Sequence, residues 1–269
     1  MQQQKGNDSL FSLYSGTIKI RRRMKKFVVF ATLIFAVAMV GQAQQAVRFG
    51  FQLSPTFNWM STDDNTVNTN GTNLGLKLGL VGEFYFQENY AVTTGLGFSF
   101  NSGGTLLHDR GGSYWANSEV PESCRFEMEN GPGSNLKYSI QYVEIPVGLK
   151  LRTREFGYIR YFFEPNLGLG FRTQANGDIR NSEDQDACTD INIRSDVGLF
   201  NVFWGVGGGI EYSVSESTSL VAGLGAQFGF VDVTKDDDLV FVDGSGSNTA
   251  KEDSKGVVRG IVLRLGVMF

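Results

Sequence analysis

Apolar residues recur at every second position in eight separate stretches between residue 46 and the C-terminus. In the second stretch, for example, leucine alternates with asparagine, glycine and lysine over residues 73–80. A period of two sends successive side chains to opposite faces, which predicts β-strands with one apolar and one polar face. The predicted strands lie within residues 47–54, 73–86, 90–100, 143–152, 160–172, 201–212, 219–230 and 257–269. We therefore predict an all-β fold with eight strands.

The polar face of these strands favours a membrane barrel over a soluble one. An eight-stranded soluble barrel of the lipocalin type turns its apolar face inward. Here the polar face is rich in glycine, which weakens a water-exposed strand but suits a narrow, packed lumen. Aromatic residues such as Trp59, Tyr90 and Tyr158 lie near the ends of the stretches, as interfacial girdles require. We therefore expect residues 46–269 to form a transmembrane barrel of the outer-membrane type.

The connections between the predicted strands alternate between long and short. Residues 61–71, 101–137, 173–198 and 233–255 form the long connections, whereas residues 87–89, 153–157 and 213–218 form the short ones. Outer-membrane barrels have long extracellular loops and short periplasmic turns, so the rhythm predicts antiparallel strands with both chain ends in the periplasm. Tyr138 and Ile140 are in the opposite phase to the strand that follows them. This predicts either a bulge or a strand that continues beyond the bilayer.

The N-terminal region carries an export signal. Lys25 and Lys26 precede an apolar run over residues 27–41, and the small residues Gly41 and Ala43 lead up to a polar segment. This arrangement predicts a secretory signal peptide over residues 24–43, cleaved after Ala43. Because residue 24 is a methionine that starts a complete signal by itself, residues 1–23 are either a spurious upstream extension or a long N-terminal part of the signal.

Composition agrees with a barrel and excludes one class of partner. Of the 269 residues, 13% are aromatic, 34 are glycine and only 5 are proline, which is typical of an all-β chain. The formal net charge of −4 argues against nucleic acid as a partner, because binding to phosphates needs a basic surface. The partners we expect are the lipid bilayer, the barrel-assembly machinery and an unidentified protein or surface partner of the extracellular loops.

Three segments resemble a known family. Residues 142–150 read YVEIPVGLK, similar to a Y-L-E-I-P-L-L-L-K segment, while residues 49–51 read FGF and residues 207–212 read GGGIEY. The chain resembles the PorT-like, or outer membrane protein beta-barrel domain, proteins of Bacteroidetes-type bacteria. The resemblance implies an outer-membrane location and usually no assigned activity; the family's namesake is linked to secretion of surface proteins, but nothing here selects that branch. The terminal Phe269 of an alternating strand also resembles the signal by which such barrels are recognised for assembly.

Ten charged residues lie on the polar face of the predicted strands. Eight strands leave an interior just wide enough for side chains to fill it, and buried charges persist only when they are paired. We therefore expect a hydrogen-bonded ion network that plugs the barrel; the alternative is a narrow pore lined by charge. The set is Lys77, Glu83, Glu144, Lys150, Arg152, Arg160, Glu164, Arg172, Glu211 and Arg264.

The connections offer few candidates for chemistry. His108, beside Asp109 in a long connection, is the only histidine, and we expect a solvated loop residue rather than a catalytic base. One histidine and two cysteines cannot supply a zinc site of the usual spacing, and we predict no cofactor and no metal. Cys124 and Cys188 both fall in extracellular connections, which predicts a disulfide between them. We expect the acidic connections to be solvated rather than calcium-binding; their carboxylates are Asp63, Asp64, Glu183, Asp184, Asp186, Asp232, Asp236, Asp237, Asp238 and Asp243.

Two classes of function fit this sequence. The first is a non-enzymatic structural or interaction protein, in secretion or surface assembly, whose rigid strands display large loops. The second is a channel for small solutes, which needs continuous water through the lumen. The charged lumen favours the first.

Overall fold

Eight long strands form a barrel in the computed structural model, which describes residues 47–110, 112–121, 134–181, 188–235, 238–241 and 249–269. Four short strands lie in the connections at one end of it. In chain order the strands are β1 (Val47–Ser61), β2 (Val67–Gln87), β3 (Tyr90–His108), β4 (Gly112–Ser113), β5 (Ser134–Arg152), β6 (Ile159–Asn181), β7 (Cys188–Asn192), β8 (Phe200–Ser213), β9 (Ser219–Gly229), β10 (Leu239–Phe241), β11 (Thr249–Lys251) and β12 (Val257–Met268). In the described ranges no helix is long and apolar enough to cross a membrane.

The long strands close into a ring of antiparallel pairs. Their order is β5-β3-β2-β1-β12-β9-β8-β6, and β5 also pairs with β6, which completes the ring. The first and last strands pair along their length, and the backbone N–H of Phe269 donates to the carbonyl of Phe49 at 2.7 Å. A closed ring leaves no edge with unpaired backbone groups, which a spanning structure requires. The predicted eight-stranded antiparallel barrel is confirmed.

The lower part of the barrel, toward the short turns, carries its apolar side chains outward. Phe51, Leu74 and Leu224 are 63%, 66% and 61% exposed, while the alternating positions face the lumen. Exposure of so much apolar surface to water would be energetically unfavourable, whereas contact with lipid chains would not. This polarity excludes the lipocalin alternative, in which the same residues would point inward.

The polarity inverts toward the end with the long connections, which the loop lengths assign to the cell surface. There β2, β3, β5 and β6 continue past the outward apolar belt, and their inward positions become apolar: Val67, Leu106, Leu136 and Tyr138 are all buried. Their outward positions become polar, as Asn68, Asn70 and Thr173 show. This extension of the barrel wall therefore has the polarity of a soluble protein.

Tyr138 and Ile140 belong to this extension. Along β5, buried positions alternate without interruption from Ser134 to Glu144, so these two side chains share the inward face with Glu144. The extra residues sit in the neighbouring strands: β3 bulges between Ser99 and Ser102, where Asn101 has φ +56°, and β6 bulges at Thr173. Two alternatives were predicted for this segment, a bulge or a strand that continues beyond the bilayer. β5 itself shows the second, because its alternation is uninterrupted.

The longer strands shorten the first three cell-surface connections. The first spans residues 62–66 instead of the predicted 61–71, the second 109–133 instead of 101–137, and the third 182–199 instead of 173–198. The fourth spans residues 230–256 instead of 233–255 and is therefore slightly longer. The prediction of four long connections is wrong for the first. Residues 67–72 contain a single large apolar residue, the buried Val67, among polar residues and glycine, so this part of β2 has the composition of a loop.

An apolar core fills the cell-surface mouth. It joins the inward side chains of the wall to the connections, and Trp115 at its centre is 1% exposed. The Trp115 ring lies edge-on to Tyr138 with centroids 5.6 Å apart, and Gly177 makes room for it, because a Cβ there would overlap the indole. The small sheet β4-β10-β11 covers this core from outside. We call this core and its covering strands the cap.

Candidate functional site

The lumen near the periplasmic end is filled by a cluster of ionised side chains. Lys150 forms ion pairs with both Glu83 and Glu211, and all three side chains are at most 3% exposed. The second oxygen of Glu211 lies 3.1 Å from Arg152 and 3.6 Å from Arg48. Each residue reaches the cluster because it occupies an inward position of its strand, and the cluster links β1, β2, β5 and β8. We call it the lower layer.

Aromatic rings complete the lower layer. The Tyr85 hydroxyl hydrogen-bonds to Glu83, and the Arg152 guanidinium lies 4.0 Å from the centre of the Tyr85 ring. The Lys150 ammonium also lies 4.6 Å from the centre of the Phe162 ring. A cation on a ring face and a carboxylate in the ring plane both gain energy in a desolvated site. Lys150 and Arg152 therefore each contact both a carboxylate and an aromatic ring.

A second group of charges, the middle layer, lies higher in the lumen. Lys77 binds both oxygens of Glu144 at 2.9 and 2.8 Å and the side-chain oxygen of Gln227 at 2.7 Å. Arg264 pairs with Glu164 at 3.1 Å. A cavity of about 100 Å³ lies along the lumen and is lined by residues of both layers, among them Glu83, Lys150 and Arg264. It has room for a few water molecules.

The structure brings together eight of the ten charged residues that the sequence singled out. Arg160 instead pairs with Glu155 at the periplasmic rim, where both side chains are about a third exposed. Arg172 donates to the carbonyls of Arg194 and Val197 in the connection before β8. Both were expected in the network and neither belongs to it: Arg160 lies at the periplasmic end of β6, whereas Arg172 lies beside the bulge at Thr173 and binds the connection instead. Arg48 was missed, although its inward phase in the first strand could have identified it.

Two buried carboxylates hold the cap segment that contains Trp115. Asp196 accepts the backbone N–H of Asn117 at 2.9 Å and the hydroxyl of Ser118. Asp238 accepts the backbone N–H of Ala116 at 3.1 Å. These carboxylates come from two other connections, so three cell-surface connections are tied together at one point. Burial raises the pKa of Asp238 to about 7.

His108 is not the solvated loop residue that we expected. It is the last residue of β3, is 4% exposed, and packs against the Tyr114 ring with centroids 4.7 Å apart. The correction follows from the strand extension, which turns this position inward under the cap. Burial lowers the pKa of His108 to about 4, so the ring is neutral at pH 7. Within the described ranges no serine hydroxyl or carboxylate hydrogen-bonds to it, and Nε2 has no partner.

The described acidic residues of the connections mostly have structural partners. Asp238 is 5% exposed, and Asp232 accepts the backbone N–H groups of Thr234 and Gly256 at 2.9 and 3.0 Å. The expectation of solvated charge is therefore wrong for these two, because both serve backbone donors that would otherwise be unsatisfied. Glu183, Asp184, Asp186, Asp236, Asp237 and Asp243 lie outside the described residues. In the part of the chain that the structure describes, no three metal-ligating side chains form a cluster.

One of the two cysteines is described. Cys188 begins β7, packs against the cap and is disulfide-bonded. Cys124 lies outside the described residues, so its pairing with Cys188 stays a prediction.

Comparison with known proteins agrees with this architecture. The model of a family described as outer membrane protein beta-barrel domain matches residues 42–235. Among solved structures, the chain is similar to Neisserial surface protein A, with 10% identity, a TM-score of 0.42, and coverage of 84% of this chain and 97% of that one. It is also similar to OprG from Pseudomonas aeruginosa, with 10% identity, a TM-score of 0.42, and coverage of 85% and 98%.

A major outer membrane protein from Thermus thermophilus has 14% identity and a TM-score of 0.40, with coverage of 83% of this chain and 99% of that one. Comparison with curated proteins gives no match. The family model covers well over half of the sequence, and its description as an outer membrane beta-barrel domain agrees with the closed ring and the outward apolar belt. The chain therefore belongs to the outer membrane protein beta-barrel domain family and resides in the outer membrane.

Proposed function

We propose that this protein is a non-enzymatic, non-conducting barrel that anchors a folded cell-surface cap, with a structural or interaction role. One observation carries the proposal: the lumen is closed by paired charges in two layers and its outer mouth by an apolar core around Trp115. A steady pore needs continuous water, whereas the lumen cavity of about 100 Å³ has room for only a few water molecules.

The cell-surface part supports an interaction role. The wall extends beyond the apolar belt with a polar outer face, on which Asn70 hydrogen-bonds to Asn135 and Lys137 pairs with Asp178 at 3.2 Å. Such bonds hold the surface in one shape, and a rigid surface loses less entropy when a partner binds. The partner we propose is a protein or another component of the cell surface.

Conductance in a planar lipid bilayer tests the proposal. The purified barrel, with folding verified by its heat-modifiable gel mobility, is expected to give no steady current. Defined, stable conductance steps from the wild-type protein would overturn the proposal and favour the second candidate, a small-solute channel. The one observation for that candidate is the lumen cavity of about 100 Å³.

Two further assignments follow from the sequence and remain proposals. The segment over residues 142–150 supports a place among the PorT-like proteins of Bacteroidetes-type bacteria, and we propose a role in secretion or surface assembly. Deletion of the gene should then reduce the amount of secreted surface protein; unchanged secretion would remove this assignment. Residues 24–43 as a signal peptide, with cleavage after Ala43, can be checked by the N-terminal sequence of the protein in isolated outer membranes.

Phe269 is proposed as the assembly signal. Its ring is 55% exposed at the periplasmic end, while its backbone closes the ring of strands. Phe269→Ala should therefore fold in detergent like the wild type but reach lower levels in the outer membrane. Equal levels of both proteins in isolated outer membranes would contradict recognition by the barrel-assembly machinery.

A further inference from the structure

Among the described residues, the outward positions of the apolar belt carry one charge. The outward positions of the apolar belt are aliphatic, aromatic or small and polar, with Arg259 of β12 as the exception. Arg259 points outward because its neighbours Val258 and Gly260 are buried on the lumen side. A charged side chain at the middle of a bilayer is costly, so a lone outward arginine requires an explanation.

The position of Arg259 along β12 places it at the headgroup level. From Arg259 to the terminal Phe269 the strand rises over ten residues, which at the usual tilt corresponds to about 25 Å, the height of the apolar band of such barrels. Phe269 lies at the periplasmic end, so Arg259 lies at the opposite, cell-surface boundary. The outward positions below it on β12, such as Ile261 and Leu263, are apolar.

Aromatic side chains flank Arg259 on both sides. Trp59 of β1 and Phe228 of β9 are its direct neighbours in the sheet. Phe228 in turn stacks on Trp204 of β8, with ring centroids 4.7 Å apart, and Trp204 is 47% exposed. Indole and phenyl rings next to a cation are typical of the lipid–water interface, where the rings lie among the headgroups.

The Arg259 side chain is exposed, and among the described residues it forms neither an ion pair nor a hydrogen bond. This distinguishes it from the lumen cations of the lower and middle layers, each of which is paired. A guanidinium has donors in a fork that matches two oxygens of a phosphate group, so its natural partner here is an anionic headgroup.

We propose that Arg259, with Trp59 and Trp204 beside it, forms a binding site for the phosphate group of an anionic lipid in the outer leaflet. The guanidinium binds the phosphate oxygens, the flanking rings lie along the headgroup and upper chain, and the apolar outer face of β12 and β1 accepts the acyl chain. The site fixes the depth of the barrel in the membrane and keeps one class of lipid at this side of the wall.

Quenching of tryptophan fluorescence by brominated lipids tests the site. Two of the three tryptophans, Trp59 and Trp204, flank Arg259, and the third is buried in the cap. The folded protein is placed in phosphatidylcholine vesicles that contain a small, equal fraction of either brominated phosphatidylglycerol or brominated phosphatidylcholine. The anionic lipid should quench more strongly, as expected for an enrichment of about fivefold from one arginine near the surface, and salt should reduce the difference.

A matched pair of variants separates a specific site from general attraction. Arg259→Gln should quench equally with the two brominated lipids, whereas Arg180→Gln, at an exposed arginine of the extension, should keep the preference. Both variants should fold, because neither side chain is buried. Equal quenching in the wild type, or a preference that survives in Arg259→Gln, would overturn the proposal. A loss of preference in Arg180→Gln as large as in Arg259→Gln would overturn it too.

Discussion

Glu211 balances three cations of the lower layer. Lys150, Arg152 and Arg48 all contact its carboxylate, and the side chain is 1% exposed. Replacement by glutamine keeps the shape but leaves these cations with Glu83 as their remaining carboxylate. Since breaking a buried pair strands an uncompensated charge, Glu211→Gln should lower the free energy of unfolding by about 3–5 kcal/mol. Urea unfolding in lipid vesicles measures the change.

The control for this variant is an ion pair at the rim. Arg160 and Glu155 form the same kind of contact at 2.6 Å, but their side chains are 30% and 32% exposed. Solvent screens such a pair, so Glu155→Gln should cost below about 1 kcal/mol. Equal losses in the two variants would mean that the lower layer is hydrated rather than packed.

Two titrating groups of the cap shift in opposite directions. Burial raises the pKa of Asp238 from 3.8 to about 7, so the folded cap favours the protonated acid. Its contribution is present at acid pH and is lost as pH rises from about 4 to 7. Burial lowers the pKa of His108 from 6.5 to about 4, so its contribution is present above pH 6.5 and is lost as pH falls toward 4. In the wild type the two effects oppose each other over the same range.

Single variants should reveal each effect. Asp238→Asn keeps an oxygen for the N–H of Ala116 and removes the acid, so the cap of this variant should become less stable as pH falls from 6.5 to 4. His108→Gln should show the reverse, with stability lost as pH rises over the same range. Limited proteolysis of the cell-surface connections at several pH values measures both, with thermal unfolding as a second readout. Parallel slopes in the two variants would contradict the assignment to these residues.

The charged residues that the sequence placed on the lumen face, and that lie there in the structure, occupy strands with strict alternation. Glu144 and Lys150 lie in the segment YVEIPVGLK, and the structure shows both of them, with Tyr142, on the lumen face. A charge in a strand with strict alternation can be assigned to a face from its phase alone. His108 could not be placed in this way, because it follows a bulge, and one extra residue reverses the phase.

At the scale of the strands, the sequence predicted the belt well and the extension poorly. Within the belt the outward residues are apolar, which gives a clear period of two. In the extension the apolar face is the inner one, and the polar outer face resembles a loop in composition, as at residues 67–72. The phase of Tyr138 and Ile140 was the signal that the strand continued. Its meaning became clear only from the strands paired on either side of β5.

A charged side chain on the outer face should destabilise the barrel in the belt, where it faces lipid, but not in the extension, where it faces water. Leu263 of β12 lies in the belt and is 36% exposed, whereas Ser139 of β5 lies on the outer face of the extension. Leu263→Lys should reduce the stability of the inserted barrel by about 2–4 kcal/mol, because a lysine near the midplane must leave water. Ser139→Lys should cost only about 1 kcal/mol, because it loses the hydrogen bond from the Ser139 hydroxyl to Asn101 but leaves the lysine in water. Folding equilibria in lipid vesicles give both values, and similar values would place the boundary elsewhere.

At the scale of the whole molecule, the lumen is closed at successive levels. The cap around Trp115 closes the cell-surface mouth, the middle layer of Lys77 and Glu144 lies below it, and the lower layer closes the periplasmic end. Closures in series have a consequence that single closures lack: removal of one exposes the lumen only as far as the next. Each level can therefore be tested separately.

Single cysteines on the lumen wall report how far a reagent penetrates. Ser102 lies just below the cap, and Thr93 lines the lumen cavity below the middle layer; both are at most 5% exposed. In a protein with Cys124 and Cys188 replaced by serine, neither Ser102→Cys nor Thr93→Cys should react with a charged maleimide added from the cell-surface side. Addition of Trp115→Ala should make the cysteine at position 102 reactive, because the indole is the centre of the core above it.

The cysteine at position 93 should stay unreactive in the same background, because the ion pair of Lys77 and Glu144 still separates it from the mouth. Labelling at both positions after Trp115→Ala would mean that the cap alone closes the barrel and that the charged layers admit solutes, which would revive the channel. Labelling at neither would mean that Trp115 is not the closing residue. Only reaction at position 102 without reaction at position 93 agrees with closures in series, and that order makes the barrel a support for its cap rather than a passage.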